Sequence, residues 1–441
     1  MSSKDLLKSI LESFYGNGEH CISYLSLTDR LMNEVQNVLD DDVVAIDLKY
    51  DFEPLKPFLE IVKEEKPEKR FLDKILYKAQ AETFKSYFKN GVVKERKDLI
   101  LFDEVFYEKI RIREAILELL KKYATRNIVV LNAHLMSEES ILILRELEKE
   151  TISGKILFLF NGLRLEEYPE YIREFVQDIT GKQNYYSIDS EEDFEERFFS
   201  KKERLNIEYE NLKTALKNQR LFLDLSSAYN IVKRIETDSV LRNYEKSESR
   251  EIYMEMGLIC FLKGDLDLAN CYFINATETD VGDELELFAN FYMAFVAYRK
   301  NMHSVALRYV SKIRQLLKIN PHQDMEALNE MMDYIIAVRV RDEYSFEAYV
   351  NVIKLLEERG YVNVKLYTAL VIPWKIFYDK NLRSNMFEQV KKTLKQAESV
   401  DNIYAVSAAC HWMGISLTQE GKKEEAYEWY NKCRELRKNM N

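Results

Sequence analysis

His134 is the residue whose type and place most invite a chemical reading. It follows the apolar run NIVVLNA (Asn127 to Ala133) and leads into LMSEESILILRELEKE, where Ser140 opens an amphipathic pattern carrying Leu142, Leu144, Arg145 and Leu147. An imidazole beside a strand end can act as a general acid or base, but a lone one is more often a hydrogen-bonded structural group, and that is the role expected of His134. His20, His303, His322 and His411 are scattered with no HExxH or similar spacing, so no zinc site is expected. Asp40, Asp41 and Asp42 lack the ligand spacing of an EF-hand loop and read as a solvated turn. Gly16, Asn17 and Gly18 resemble a phosphate cradle, yet a helix-to-strand turn needs the same glycines and is the expected reading. The five cysteines, Cys21, Cys260, Cys271, Cys410 and Cys433, never form CxxC; odd in number, they read as buried thiols in a reducing compartment.

The chain's 441 residues are too many for one ordinary core, so two or three domains are expected. With 46% hydrophobic and 32% charged residues but only 12 Gly and 6 Pro, it reads as a folded, helix-rich protein, neither disordered nor a sheet-only fold. A net charge of −11 disfavours a surface that tracks nucleic-acid phosphates, whose affinity comes from clustered cations. Basic residues gather between Lys375 and Lys395, with Arg383, Lys391 and Lys392, and again from Lys432 to Lys438; both read as solvated helix faces. No apolar run approaches the roughly 18 residues that span a bilayer. The N-terminus carries acidic residues through its short apolar stretch and has no leader pattern, so a cytoplasmic protein with no membrane partner is expected.

Two hydrophobic periods divide the chain. Up to about residue 185, short apolar runs lie between helical patterns: CISYLSL (Cys21 to Leu27), DVVAIDLKY (Asp42 to Tyr50), NIVVLNA, KILFLFN (Lys155 to Asn161) and NYYSID (Asn184 to Asp189). Such alternation predicts βα units and a parallel sheet. From about residue 205 the strands vanish, and a spacing recurs. Gly257, Cys260, Gly264, Ala269, Phe273 and Ala276 are matched, interval for interval, by Gly414, Leu417, Gly421, Ala426, Tyr430 and Cys433. Ala294, Ala297, Asn301, Ala306, Val310 and Ile313 match more loosely, and weaker copies begin at Leu216, Ile336 and Tyr378.

Close packing of two antiparallel helices explains that spacing. Small residues at Gly257 and Ala269 let the axes approach, Gly264 supplies a permissive turn, and Phe273 fills the groove beyond. Hairpins with this period, about 36 to 42 residues, stack because none buries its apolar side alone. The pattern resembles the tetratricopeptide repeat, which implies a superhelix with a concave face for a protein or peptide. Trp374, Trp412 and Trp429, at helical spacing, are expected in the core.

The first half resembles the signal-transducing STAND ATPases of the P-loop superfamily, which include the maltose-type transcriptional activators. In that family the strand matching NIVVLNA ends in two acidic residues, a histidine follows two positions later, and a Ser-Leu helix comes next. His134, Ser140 and Arg145 fit without a gap, and KILFLFNGLRLEE resembles the following strand, with Arg164 where an arginine commonly stands. Upstream, CISYLSLTDRLMNEV, VVAIDLKY and PLKPFLEIVKE resemble the P-loop strand and helix, the second strand and the helix after it. The resemblance covers about residues 5 to 180 and implies an AAA-like parallel-sheet domain.

Its chemistry is altered by the residues present. Hydrolysis needs the amides of a Gly-rich loop, a lysine on the terminal phosphates and a Ser or Thr on magnesium. No glycine here begins GxxxxGK[ST], and the loop position reads YLSLTD, with Tyr24, Ser26 and Thr28. The two Walker B carboxylates are replaced by Leu131 and Asn132, which lack the charge to hold a hydrated cation. Both elements are missing in register. A pseudo-ATPase is therefore expected, with no catalytic residue, no metal and no required cofactor; ATP or ADP binding without hydrolysis is the residual nucleotide role. Where the family inserts helical and winged-helix modules before its repeats, this chain passes almost directly from Asp189 into the helical half.

These readings predict an α/β plus all-α protein: a degenerate STAND or P-loop domain over residues 1–190, a connector over 191–210 and a tetratricopeptide-like superhelix over 211–441. The expected function is a non-enzymatic regulator or scaffold that binds a protein or peptide through its helical repeats. Two alternatives are a nucleotide-binding STAND-type switch in transcriptional regulation and an intracellular peptide receptor.

Overall fold

The computed structural model describes the chain except residues 1–2, 18–19, 40–41, 49–52, 77, 95–101, 162–165, 167, 188–206, 278–282, 342–344, 373–379 and 439–441. Contacts divide it into two compact units. The first comprises Met1–Leu76, Phe84–Val93 and Arg111–Val240, and the second Tyr77–Thr83, Lys94–Ile110 and Leu241–Asn441. A parallel sheet with helices and a set of helical hairpins is the mixed architecture that the two periods predict.

The first unit begins with α1 (Ser3–Asn17), β1 (Ile22–Ser26), α2 (Asp29–Glu34) and β2 (Val44–Asp47). Then come α3 (Phe58–Glu64), α4 (Lys69–Ile75), α5 (Lys78–Asn90) and α6 (Val105–Tyr123), of which α5 and α6 have their N-terminal ends in the second unit. β3 (Ile128–Leu131), α7 (Glu138–Leu147), β4 (Ile156–Phe160), α8 (Glu170–Thr180) and β5 (Tyr185–Ser187) follow, and the hairpin of α9 (Tyr209–Leu221) and α10 (Leu225–Thr237) ends the unit. The five strands are parallel, in the order β2-β3-β4-β1-β5.

Alternation along the strands sorts their side chains between two buried faces. Leu25, Leu27, Val129, Leu131, Leu157 and Leu159 pack with Leu7, Leu11 and Phe14 of α1 and Leu31, Met32 and Val35 of α2. On the other face Tyr24 meets Phe158, Phe160 and Phe175 of α8, and Phe158 meets Phe58 of α3. The central strands β3 and β4, covered on both sides, are apolar at every position and read as unbroken runs, while β1 buries Ser23 and Ser26 among its apolar residues.

The hairpin α9–α10 is tied into this α/β unit. The Asn218 side chain accepts from the Val93 amide (2.9 Å) and donates to the Gly91 carbonyl (2.8 Å). Phe222 lies edge-on to Phe84 and Tyr87 at 4.9 and 5.1 Å, and the Asp224 carboxylate accepts from the Leu55 amide at 2.7 Å. This pair belongs to the first compact unit, which runs to Val240, and most of the connector read over residues 191–210 lies outside the described residues. Periodicity reveals a helix pair but not what the pair packs upon.

The second unit holds α11 (Lys246–Lys263), α12 (Leu266–Ala276), α13 (Glu284–Arg299), α14 (His303–Ile319) and α15 (Gln323–Ile336). α16 (Phe346–Arg359), α17 (Val362–Ala369), α18 (Lys380–Ser399), α19 (Ile403–Gln419) and α20 (Lys423–Lys438) complete it. Each helix packs on the next, and α13 also touches α11 and α15, which sets odd-numbered helices side by side. A Cβ on Gly257 would lie 2.5 Å from Cε1 of Phe273, and one on Gly414 would lie 2.6 Å from Cε1 of Tyr430, so the aromatic ring of each hairpin's second helix occupies the space that the glycine leaves. At the turn position the backbone is left-handed in four copies: Leu223 (φ 54), Gly264 (φ 92), Asn301 (φ 59) and Gly421 (φ 80).

Some expectations are corrected. The copy read from Tyr378, itself outside the described residues, would turn at Asn385, which lies inside the unbroken α18; the turn is at Asp401 (φ 54), between α18 and α19. The turn of the Ile336 copy falls within the undescribed residues 342–344. α7 starts at Glu138 with Ser137 as its cap, so Ser140 is a buried residue of the first turn and does not open the helix. Cys271 is exposed, whereas Cys260, Cys410 and Cys433 are buried and Cys21 is half-buried; none of the five is joined in a disulfide. Trp412 and Trp429 are half-buried, while Trp374 and Lys375 lie outside the described residues, as do Gly18, Asp40 and Asp41. Among the described residues, no helix is long and apolar enough to cross a membrane.

Candidate functional site

Parallel α/β sheets hold ligands where neighbouring strands send their onward connections toward opposite edges. In this order of strands that place is the carboxyl end of β1 and β4, since β1 leads to β2 at one edge and β4 to β5 at the other. The structure brings Thr28, Asn132 and His134 to this end of the sheet and places Tyr24 and Leu131 in the cores below it. Only Leu27 and Thr28 separate β1 from α2. The Thr28 hydroxyl accepts from the Leu31 amide at 3.4 Å, so the side chain takes up an amide of the short helix's first turn. Ser26 is buried within β1.

Tyr24 is a core residue. Its hydroxyl donates to Glu148 at 2.5 Å, and Glu148 also receives Lys182 at 2.6 Å. Burial first, and Glu148 second, raise the Tyr24 phenol well above its ordinary value. Leu131 is 2% exposed and belongs to the core between the sheet and α1 and α2. Asn132 has φ 57, a left-handed conformation that Asn tolerates better than most residues, and its amide donates to Asp47 at 2.7 Å, tying the ends of β3 and β2 together. His134 stacks on Tyr168 at 4.7 Å, and its Nδ1 accepts from the Asn161 amide at 3.4 Å. The Tyr168 hydroxyl closes the group by donating to the Asn161 carbonyl at 3.2 Å. Arg164 lies outside the described residues. Among the described residues, no three His, Cys, Asp or Glu side chains gather as a metal site.

A denser polar arrangement lies in the second unit, on the odd-numbered helices. Residues Phe102–Glu104 form a single 3-10 turn that leads into α6, and this segment is held by side chains far along the chain. Nη1 of Arg299, at the end of α13, lies 2.8 Å from both carboxylate oxygens of Asp103. Nδ2 of Asn402, before α19, reaches Glu104 at 3.1 Å and Oδ1 of Asn363 at 3.0 Å. Oδ1 of Asn402 also accepts from the Ala405 amide at 2.9 Å, so one side chain caps α19 and grips the segment. Tyr107 lies edge-on to Tyr404 at 5.8 Å and hydrogen-bonds to Ser407, which Arg437 holds at 2.9 Å.

Electrostatics fit these contacts. Glu104 and Tyr107 are 2% and 7% exposed, so their partners act in a medium of lowered dielectric. Burial, and then Asp103, raise the phenols of Tyr367 and Tyr404 far above ordinary values. Tyr298 raises Arg339 above its ordinary value, the guanidinium lying 5.6 Å from the ring centroid. Opposite two carboxylates the seat thus offers Arg299, Arg339 and Arg437 with Asn363, Asn402 and Ser407. Sequence reading did not single out these residues. The visible signal was the acidic-aromatic run LFDEVFYEKI that leads into and opens α6 and an Asn ahead of an apolar helix, neither of which says that they meet. Compared with known proteins, the chain matches no family model and no curated relative.

Proposed function

We propose that this protein is a non-catalytic regulator or scaffold that binds a peptide or protein segment on the odd-numbered helices of its second unit. The observation that carries the reading is the seat just described, where side chains from α13, α17 and α19 converge on a short stretch of chain. On this reading the hairpins are tetratricopeptide-like, and the first unit is a degenerate P-loop domain of the STAND type. Supporting the loss of nucleotide chemistry are the two-residue connection after β1, the Thr28 cap, the burial of Leu131 and the engagement of Asn132 with Asp47. Triphosphate binding asks for several free amides and a cation at that place.

Thermal unfolding with and without millimolar ATP or ADP and magnesium, together with an ATP-turnover assay, tests the first unit. The expected result is no shift in midpoint and no turnover. A nucleotide-dependent shift that Asn132→Ala or Thr28→Val removes would favour the nucleotide-switch alternative instead.

A further inference from the structure

We propose that the odd-helix seat recognises acidic segments of the form Asp-Glu-x-x-Tyr, and that the chain's own Asp103–Tyr107 is a resident occupant which an incoming segment must displace. The inference deepens the peptide-binding reading and rests on it. Each position of that form has its own partner: Asp103 the Arg299 guanidinium, Glu104 the Asn402 amide backed by Asn363, and Tyr107 the Tyr404 ring with the Ser407 hydroxyl. The charges facing the segment are cationic, from Arg299, Arg339 and Arg437, and a basic segment at the same positions would set cation against cation. Partly buried charge pairs of this kind specify a partner more than they add affinity.

The segment is short, comprising the 3-10 turn and the first turn of α6, so displacement requires that one helical turn to unwind along with the release of a few side chains. Gln80, donating to Glu108 at 2.7 Å, anchors α6 just beyond Tyr107, so unwinding stops at the segment's end. A filled seat lowers the apparent affinity for a second segment by the fraction of time it stands empty. Weakening the resident copy must therefore strengthen binding in trans, a result opposite to that of an ordinary contact mutation.

The test uses the full chain and a fluorescent peptide of sequence LFDEVFYEKI, read by anisotropy at fixed salt. Wild type is expected to bind weakly, and Asp103→Asn/Glu104→Gln to bind about tenfold tighter or more. Adding Arg299→Ala to that double variant is expected to remove about tenfold again, and a peptide carrying Asn-Gln for Asp-Glu is expected to lose the gain. If the double variant does not keep the wild-type circular dichroism, Asp103→Asn alone serves, with about threefold expected. Equal affinity for wild type and variant, or indifference to Arg299→Ala, overturns the proposal. Should a basic or apolar peptide bind instead, and bind through Arg299 and Tyr404, the acidic preference falls while the peptide-binding reading stands. If no peptide binds either chain, both fall.

Discussion

Gly257→Ala sets two effects of known sign against each other inside α11. An exposed helical Gly replaced by Ala gains about 1 kcal/mol in intrinsic propensity. Here the new methyl would lie 2.5 Å from Cε1 and 2.6 Å from Cδ1 of Phe273. Carbon contacts are comfortable at about 3.5–4.0 Å, so the ring must retreat by about 1 Å. It has nowhere to go: Phe273 is fully buried and stacks on Tyr292 at 5.4 Å, and Tyr292 is edge-on to Phe261 at 5.5 Å. Overpacking of this kind costs about 1–3 kcal/mol, so the expected net loss is about 1 kcal/mol, and more if α12 cannot shift.

Gly414→Ala makes the same clash with Tyr430, at 2.6 Å, but that ring is half-exposed on α20 and can swing outward at the expense only of its contacts with Thr418 and His411. Its expected net effect is close to zero or slightly stabilising. Urea unfolding followed by tryptophan fluorescence reads the difference, because Trp374, Trp412 and Trp429 all belong to the second unit. Phe273→Leu in the Gly257→Ala background is expected to recover part of the loss. If Gly257→Ala raised the midpoint as an exposed helical substitution does, the packing account of the repeated spacing would fail.

Burial, with Glu139 second, pushes the Asp224 carboxyl from 3.8 up to about 7, with the Leu55 amide opposing. The native state then binds more protons than the unfolded state between those values, so the stability this group lends at acidic pH is lost as pH rises through 7. Glu138, Glu139 and Tyr171 share the site, and Asp224→Asn, which keeps an acceptor for Leu55 and adds a donor, is expected to raise the melting temperature at pH 8 and flatten its slope between pH 4 and 7. A slope unchanged in the variant refutes the assignment. At the left-handed Asn132, Ala is expected to cost about 2 kcal/mol through backbone strain and the lost bond to Asp47, while Gly loses only the bond, about 1 kcal/mol. Thermal melts of the two variants in the opposite order would count against this. Phe222→Ala opens the cluster with Phe84 and Tyr87 and is expected to cost about 3–5 kcal/mol in denaturant midpoints of the first unit; a loss below 1 kcal/mol would show that the hairpin is not anchored there.

Much of the architecture follows from local pattern. Strands buried on both faces are predominantly apolar, so β3 and β4, and less cleanly β1 with its two buried serines, stand out as runs such as NIVVLNA, and the helices between them require parallel pairing. The Gly257 and Gly414 copies are equally legible, because a close helix approach demands a missing side chain at one position and a ring at another. Leu131 and Asn132 are visible in the sequence as the end of an apolar run, but only the fold gives them occupations, Asn132 tying two strand ends and Leu131 filling a core.

Tertiary structure decided what those elements pack against. The hairpin α9–α10 carries the repeat spacing yet is held by Asn218, Phe222 and Asp224 to α5 and the residues ahead of α3, contacts set by groups more than a hundred residues away. The same holds for the acidic turn at Asp103 and Glu104, whose partners Arg299 and Asn402 stand hundreds of residues further along. Hydrophobic period is a property of neighbours in sequence, and so it names faces; which charged side chain meets which carboxylate depends on the stacking of helices, which no local interval encodes.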